Sequence, residues 1–379
     1  MQRRSLFRLS ASLALVGSGF CLAACGGGGG DAATEPAPAP PAPPAPPPVV
    51  RTFAYVANYA SADVSIFEVA ETGSLTEVGT TSAGAGAHSI AIHPSGRYAY
   101  AANEFAENIS LYEIQPATGM LVPLPVSTVE ALGPLDAIQI HPSGKFAYVN
   151  HYADNSLSIY TVNGETGMLT FDSSFSAGAL PICSAVDPSG RFLFVALDDD
   201  RVLSLEVDTT TGRLTVRSEV TEHARPIAIA VAPSGRFLYV AVRDSIVTRA
   251  IAADGQLGAA TPVGADEPRS ISIGGAGRLV CVTAGTIVQE VAVYAVDDPT
   301  TGVLSFVASV SIGGGVLNSS AISPSGNTVY AITSDFTGSG AGSVVAFSVN
   351  EGARELTEMA PSHATGVDPF GINVVNIAG

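Results

Sequence analysis

A short turn recurs along most of this chain at nearly constant spacing, and that repeat narrows the possible folds more than any other feature. Pro-Ser-Gly closes an apolar run at Pro94, Pro142, Pro188, Pro233 and Pro324, and a degraded copy, Gly275-Ala276-Gly277, stands between the last two. Counting Ala276 for the missing proline, the spacings are 48, 46, 45, 43 and 48. The chain then ends on Pro369-Phe370-Gly371-Ile372-Asn373-Val374, which matches Pro226-Ile227-Ala228-Ile229-Ala230-Val231 and makes a seventh run without its turn. A period of this length marks stacked repeats, each too small to bury its apolar surface alone.

A second mark gives the same count. A glycine-containing turn ends at Leu75, Leu121, Leu169, Leu214, Leu257 and Leu304, and more loosely at Leu356. Glycine supplies the positive φ that such hairpins need. Four short strands fit between the marks. In the second full unit they are Ala137–Ile140, Phe146–Val149, Leu157–Tyr160 and Leu169–Phe171. Small, aromatic and β-branched residues alternate, which suits sheets buried on both faces. Isolated hairpins of this length are unstable, so the units must stack and close. The expected fold is all-β: a seven-bladed β-propeller of four-stranded blades. Arg51 to Asn58 reads like Arg97 to Asn103, the second strand of a unit. One blade therefore takes three strands from the front of the chain and one from its end. That pairing, near Phe53 and Ile372, leaves no open sheet edge.

The first 50 residues do not belong to the repeat. Arg3, Arg4 and Arg8 precede an apolar stretch, so residues 1–24 read as a secretion signal. Leu22-Ala23-Ala24-Cys25 resembles a bacterial lipobox, which implies lipidation of Cys25. Gln2 to Arg8 loosely resembles a twin-arginine export signal. Gly26 in place of Asp implies an outer-membrane address. Residues 25–50 form a tether in which nine of the thirteen residues from Pro36 to Pro48 are proline. Proline fixes φ and lacks the donor N–H, so this segment is an extended spacer of roughly 40 Å. Residues 51–379 are the propeller.

Charge excludes several functions. Lys+Arg is 17 against Asp+Glu 34, a net charge of −17. Such a surface repels phosphate backbones, so no nucleic-acid partner is expected. Lys145 is the sole lysine, which argues against Schiff-base and P-loop chemistry. No tryptophan is present, so the WD dipeptide of another propeller family is missing. Zincin, nucleophile-elbow and dinucleotide motifs are missing too, so no cofactor and no metal motif is expected. The protein is expected to be monomeric, with a membrane contact through the lipid anchor only. Cys183 and Cys281 sit in apolar runs and read as buried thiols, with a disulfide as the other possibility.

In a four-stranded meander the turns after strands one and three share one face, and those after strands two and four share the other. The first group is uniform. The second varies and carries the distinctive polar residues: Asn58-Tyr59, Asn103-Glu104-Phe105, His151-Tyr152-Ala153-Asp154, Asp198-Asp199-Asp200, Arg243-Asp244 and Asp335-Phe336. His88, Asp136, His223-Ala224-Arg225, Arg269 and Asn318 stand where first strands begin. Working loops in propellers converge on the central channel. The sixth residue before each turn proline should ring its mouth, giving His88, Asp136, Ile182, Ile227, Ser270, Asn318 and Phe370. His88, Asp136 and Glu104 are the catalytic candidates, as a general acid–base group or a weak metal site. Tyr59, His151, Arg225 and Arg269 are the ligand-binding candidates. Asp198-Asp199-Asp200 could hold Ca²⁺ or be a solvated acidic turn.

The apolar strand, the Pro-Ser-Gly-Arg turn, the Tyr-Val-Ala-Asn strand and the Thr-Gly-x-Leu turn together resemble the lactonase-type seven-bladed propellers, and also the YVTN-repeat propellers. The resemblance covers Arg51 to Gly379 and implies hydrolysis of a cyclic ester. The family's His, Gly-Pro-Arg-His and Asn-Glu positions fall on Cys183, on Pro226-Ile227-Ala228 and on Val242-Arg243. The family-like pair Asn103-Glu104 lies in an earlier blade. Two functions follow as expectations. The favoured one is a binding scaffold that presents its variable loops to a protein, glycan or small molecule. The alternative is a divergent 6-phosphogluconolactonase-like hydrolase using His88, Asp136 and Glu104.

Overall fold

Strands in this chain are short because a turn residue interrupts the β-branched pattern every few positions. The computed structural model describes residues 49–285, 288–313, 315–335 and 340–378. The expected signal, the lipobox-like run at Cys25, the proline-rich segment as far as Pro48 and Phe336 lie outside the described residues. Among the described residues there are 28 strands and no helix. They form seven four-stranded antiparallel sheets. The chain is a seven-bladed β-propeller, as its repeat requires.

Blade 1 closes the ring. It orders β28 (Pro369–Ala378), β1 (Val50–Asn58), β2 (Asp63–Val69) and β3 (Leu75–Ser82). The register runs from Val50 opposite Ala378, through Phe53 opposite Val375, to Val56 opposite Ile372. Strand β1 starts one residue before the expected boundary. Blades 2 to 7 follow in chain order at residues 87–130, 137–176, 181–221, 226–264, 268–312 and 316–367.

Burial follows position in the blade. Second strands such as β5 (Tyr98–Asn103) and β9 (Phe146–His151) are buried at every residue, because neighbouring blades cover both faces. Outer strands such as β11 (Leu169–Ser176) are mostly exposed. Each fully buried aromatic or branched aliphatic side chain contributes about 1.5–3 kcal/mol, so the core is a set of inter-blade layers.

A repeated hydrogen bond staples one blade to the next. The second-strand tyrosine hydroxyl donates to the glycine carbonyl of the following Thr-Gly turn. The pairs are Tyr55 to Gly119 at 2.9 Å, Tyr100 to Gly167 at 2.9 Å, Tyr148 to Gly212 at 3.0 Å and Tyr239 to Gly302 at 3.3 Å. Tyr330 to Gly73, at 2.8 Å, makes the same bond across the closure. Where Phe194 replaces the tyrosine, Ser204 Oγ from the adjacent strand donates to Gly255 at 2.6 Å instead. Glycine is needed in these turns for two reasons. At Gly119 φ is +72°, and a Cβ would lie 2.4 Å from the Phe53 ring of the previous blade. In the seventh, looser copy Arg354 takes the positive φ, at 55°.

Two histidines on this uniform face are structural. His93 and His141 accept from the Ser95 and Ser143 amides at Nδ1. Each Nε2 reaches the glycine carbonyl of the next Pro-Ser-Gly turn, Gly144 at 2.9 Å and Gly190 at 2.7 Å.

Candidate active site

The variable face is organised by one backbone irregularity repeated around the ring. The first strand of blade 2, β4 (Ala87–Ile92), pairs Ala87 with Asn103 and Ser89 with Ala102, so His88 is bulged out of register. The same skip falls on Ile182, Ile227, Arg269, Asn318 and Phe370. In blade 3, Asp136 stands just before its first strand and bonds Asn150 through the backbone. A bulge re-aims its side chain, and here all seven residues line a single cavity of about 550 Å³ at the channel mouth. The sequence count placed Ser270 in this ring, but the bulged residue of blade 6 is Arg269. Gly277 carries the positive φ of the degraded turn, so Gly275 rather than Ala276 occupies the proline position. Ser270 lines the cavity one step further in.

Loops after second strands are tied down over these bulges. Glu104 N donates to Gly86 O at 2.8 Å and Ala106 N to Ala85 O at 3.0 Å, while Tyr59 N donates to Asp368 O at 2.8 Å. Glu104 is thereby brought to His88 and Asp136. One donor atom from each of the three lies within 4.8 Å of the other two.

Their surroundings give the three residues different states. His88 Nδ1 sits 2.6 Å from the Asp136 carbonyl oxygen. A carbonyl only accepts, so Nδ1 carries the proton and Nε2 keeps the lone pair. Burial lowers the His88 pKa, which keeps the ring neutral, although the Asp136 carbonyl and the Glu104 charge act the other way. Glu104 accepts from Tyr59 at 2.7 Å and from Tyr152 at 2.8 Å, one hydroxyl on each oxygen. Those bonds push Tyr152 up to about 12, and burial together with the Glu104 bond raises Tyr59. Burial, then the Glu104 charge, lifts Asp136 from 3.8 to about 7. The set therefore holds a neutral base, a fixed carboxylate and an acid half-protonated near neutrality.

An aromatic wall stands beside them. The Phe370 ring lies 4.0 Å from His88, and Tyr59 lies 5.1 Å from Phe105, which is 67% exposed. Across the ring, three blades away, Arg269 is exposed at the cavity and makes no ion pair with any described residue. Ile182 and Ile227 supply apolar lining between.

Other candidates fall elsewhere. His151, expected on the loop face, is wholly buried at the end of β9, where burial lowers its pKa. Arg225 pairs with Asp198 on the surface. Asp199 pairs with Arg201 at 2.6 Å, so arginines meet two of the three carboxylates of this acidic turn. Cys183 lines the cavity and Cys281 lies in the core; both are free thiols, pushed up to about 12 by burial. His223, Asp244 and Ser245 look like a relay but are not one, because Asp244 at 2.7 Å and Ser245 at 3.4 Å meet the same ring nitrogen. Tyr152 was not among the candidates. Its signal was its place one residue after a second strand, the place Tyr59 holds in blade 1.

A family model described as "Lactonase, 7-bladed beta-propeller" matches residues 75–220 and 215–319. No curated protein matches the sequence. Among solved structures, a candidate 6-phosphogluconolactonase of Bacteroides uniformis is 19% identical with a TM-score of 0.72, covering 86% of this chain and 99% of that one. The periplasmic gluconolactonase of Pseudomonas aeruginosa is 15% identical with a TM-score of 0.72, covering 87% of this chain and 100% of its own. A candidate 6-phosphogluconolactonase of Bacteroides fragilis is 16% identical with a TM-score of 0.70, covering 86% and 98%. At these identities the neighbours share the fold.

Proposed function

Because the chain belongs to the seven-bladed β-propeller lactonase family, we propose that its channel mouth hydrolyses a small cyclic ester. The observation that carries this reading is the convergence of His88, Glu104 and Asp136 within 4.8 Å at the edge of a ligand-sized cavity. His88 Nε2 takes a proton from water as the water oxygen bonds the lactone carbonyl carbon, and the carbonyl electron pair moves onto its oxygen. When that pair returns, the ring C–O bond breaks and the leaving oxygen takes the Asp136 proton. The proton on His88 then restores Asp136, so one water is added across the ester. Glu104, held by two tyrosine hydroxyls, stabilises the transient imidazolium. Arg269 anchors an anionic substituent from the opposite arc of the ring.

The test is turnover of a lactone panel by the purified full chain and its variants. General acid–base groups supply about 10²–10⁴-fold each, so His88→Ala and Asp136→Asn should each lower kcat/KM by that order. Arg269→Ala should raise KM for anionic lactones more than for neutral ones. No turnover on any lactone, or turnover unchanged in His88→Ala, would overturn the reading. Binding without turnover is the second reading. It is favoured by Cys183 and Ile227, which stand where the family resemblance expects polar residues; a protein, glycan or small molecule would then dock on the variable loops.

We also propose that the domain is exported and held by lipid on Cys25, with the Pro36–Pro48 spacer lifting it off an outer membrane. The lipobox-like Leu22-Ala23-Ala24-Cys25 supports this, and the periplasmic address of the Pseudomonas neighbour agrees with it.

A further inference from the structure

We propose that His88, Glu104 and Asp136 also take up one divalent cation of the zinc or manganese class. This rests on the reading of the channel mouth as the working site. Three features point to it. The first is the donor set: an imidazole nitrogen and two carboxylate oxygens within 4.8 Å of one another at an open cavity. Zinc bonds of about 2.0–2.1 Å place tetrahedral ligands roughly 3.4 Å apart, so side-chain rotation must close only about 1.4 Å. Three protein ligands leave a fourth position for water.

The second feature is orientation. A ligating imidazole ordinarily donates its other N–H to a carbonyl or carboxylate, which fixes the tautomer. His88 Nδ1 does this to the Asp136 carbonyl at 2.6 Å. Glu104 is gripped from both sides by Tyr59 of blade 1 and Tyr152 of blade 3, and each of its oxygens keeps a lone pair free.

The third is charge. Several acidic side chains elsewhere are met by arginine, among them Asp198 by Arg225, Asp199 by Arg201, and the buried Glu222 by Arg249. Among the described residues neither Glu104 nor Asp136 forms an ion pair, although both adjoin the same imidazole. One nitrogen with two oxygens suits Zn²⁺ or Mn²⁺, whereas Ca²⁺ takes six or more oxygens. Because Nε2 cannot bind a metal and accept a proton at once, the cation and the metal-free hydrolysis route exclude each other. The ion therefore acts as an inhibitor of that route.

The experiment is Mn²⁺ titration of the EDTA-stripped full chain, read by electron paramagnetic resonance, with excess Mg²⁺ to occupy diffuse acidic surface. One tight equivalent is expected, with spin-echo modulation from a single imidazole nitrogen. His88→Ala and Glu104→Gln, checked for folding by their melting temperatures, should weaken it about tenfold or more. Asp244→Asn should leave it unchanged. No tight equivalent, no imidazole modulation in the unmutated chain, or binding that persists in both ligand variants would overturn the proposal. Turnover by the stripped chain without tight Mn²⁺ binding would overturn it alone. Tight binding with no lactone turned over would support it and overturn lactone hydrolysis instead.

Discussion

Replacing Asp136 by asparagine should stabilise the propeller, and by an amount that grows with pH. Burial and the neighbouring Glu104 raise the Asp136 carboxyl from 3.8 to about 7. Between those values the folded protein holds a proton that the unfolded chain has released. Stability is therefore fully present below pH 3.8 and is lost as pH rises through about 7. At ~1.4 kcal/mol per tenfold change in proton affinity, the ceiling on that loss is ~4 kcal/mol. Asp136 is half-buried at a water-accessible mouth, and screening reduces the figure to about 2 kcal/mol. Asparagine keeps the shape and cannot ionise. Urea unfolding of both chains at about pH 4.5 and about pH 8 measures the effect as a double difference, in which titrating groups remote from Asp136 cancel. Because part of the effect is already present at about pH 4.5, the variant's advantage should increase by about 1.5 kcal/mol from the lower pH to the higher. An advantage that stays constant within about 0.5 kcal/mol would mean that Asp136 is solvated like an ordinary surface carboxylate. Its role as a proton donor near neutrality would then have no physical basis.

The same assignment shapes the rate profile: kcat/KM should rise as His88 loses its proton below the ordinary imidazole range, then fall as Asp136 ionises at about 7. The falling limb should vanish in Asp136→Asn, seen in rates measured across pH. Gly119→Ala must adopt φ +72° and push a methyl against Phe53, so it should cost about 2–4 kcal/mol in urea unfolding. Ser204→Ala leaves the buried Gly255 carbonyl without its donor and should cost about 1–3 kcal/mol by the same measurement. Deleting residues 369–379 removes β28 and every pairing of β1 on that side, so the truncated chain should be insoluble or melt well below the parent, as read by centrifugation and circular dichroism.

Much of this was legible from residue spacing, for a physical reason. A propeller blade is defined by its turns, and turns demand glycine and proline at fixed offsets, so the blade count and the closure of blade 1 could be counted directly. The ring positions were legible to within one residue. The miss at blade 6 came from a turn that had lost both its proline and its serine, leaving only Gly277 to mark the register. His151 was misread for a different reason. A loop-adjacent histidine reads as exposed, but second strands lie between two blades and bury both faces, so even their last residue is covered. The inter-blade tyrosine bonds were not legible at all. They join residues some 60 positions apart, as in Tyr55 to Gly119, and no local pattern records them.

The two faces of the disc differ in how much sequence change they can absorb. On the uniform face turns touch the previous blade: Gly144 is against His93 and Gly167 against Tyr98, so a substitution in one blade strains its neighbour. On the other face the bulged residue has dropped out of the pairing register. Nothing in the ladder depends on its side chain, and histidine, isoleucine, arginine, asparagine and phenylalanine all occupy it. Chemistry can therefore diverge at the ring without loss of fold. This explains how a family propeller can keep its architecture with Cys183 and Ile227 where the resemblance implies polar residues, yet bring His88, Glu104 and Asp136 together two blades earlier. It also sets where specificity should move on further mutation: exchanging Arg269 should alter which ligand binds while leaving the melting temperature nearly unchanged, whereas His88 and Asn318 also hydrogen-bond the backbone of the next blade and should cost stability when exchanged.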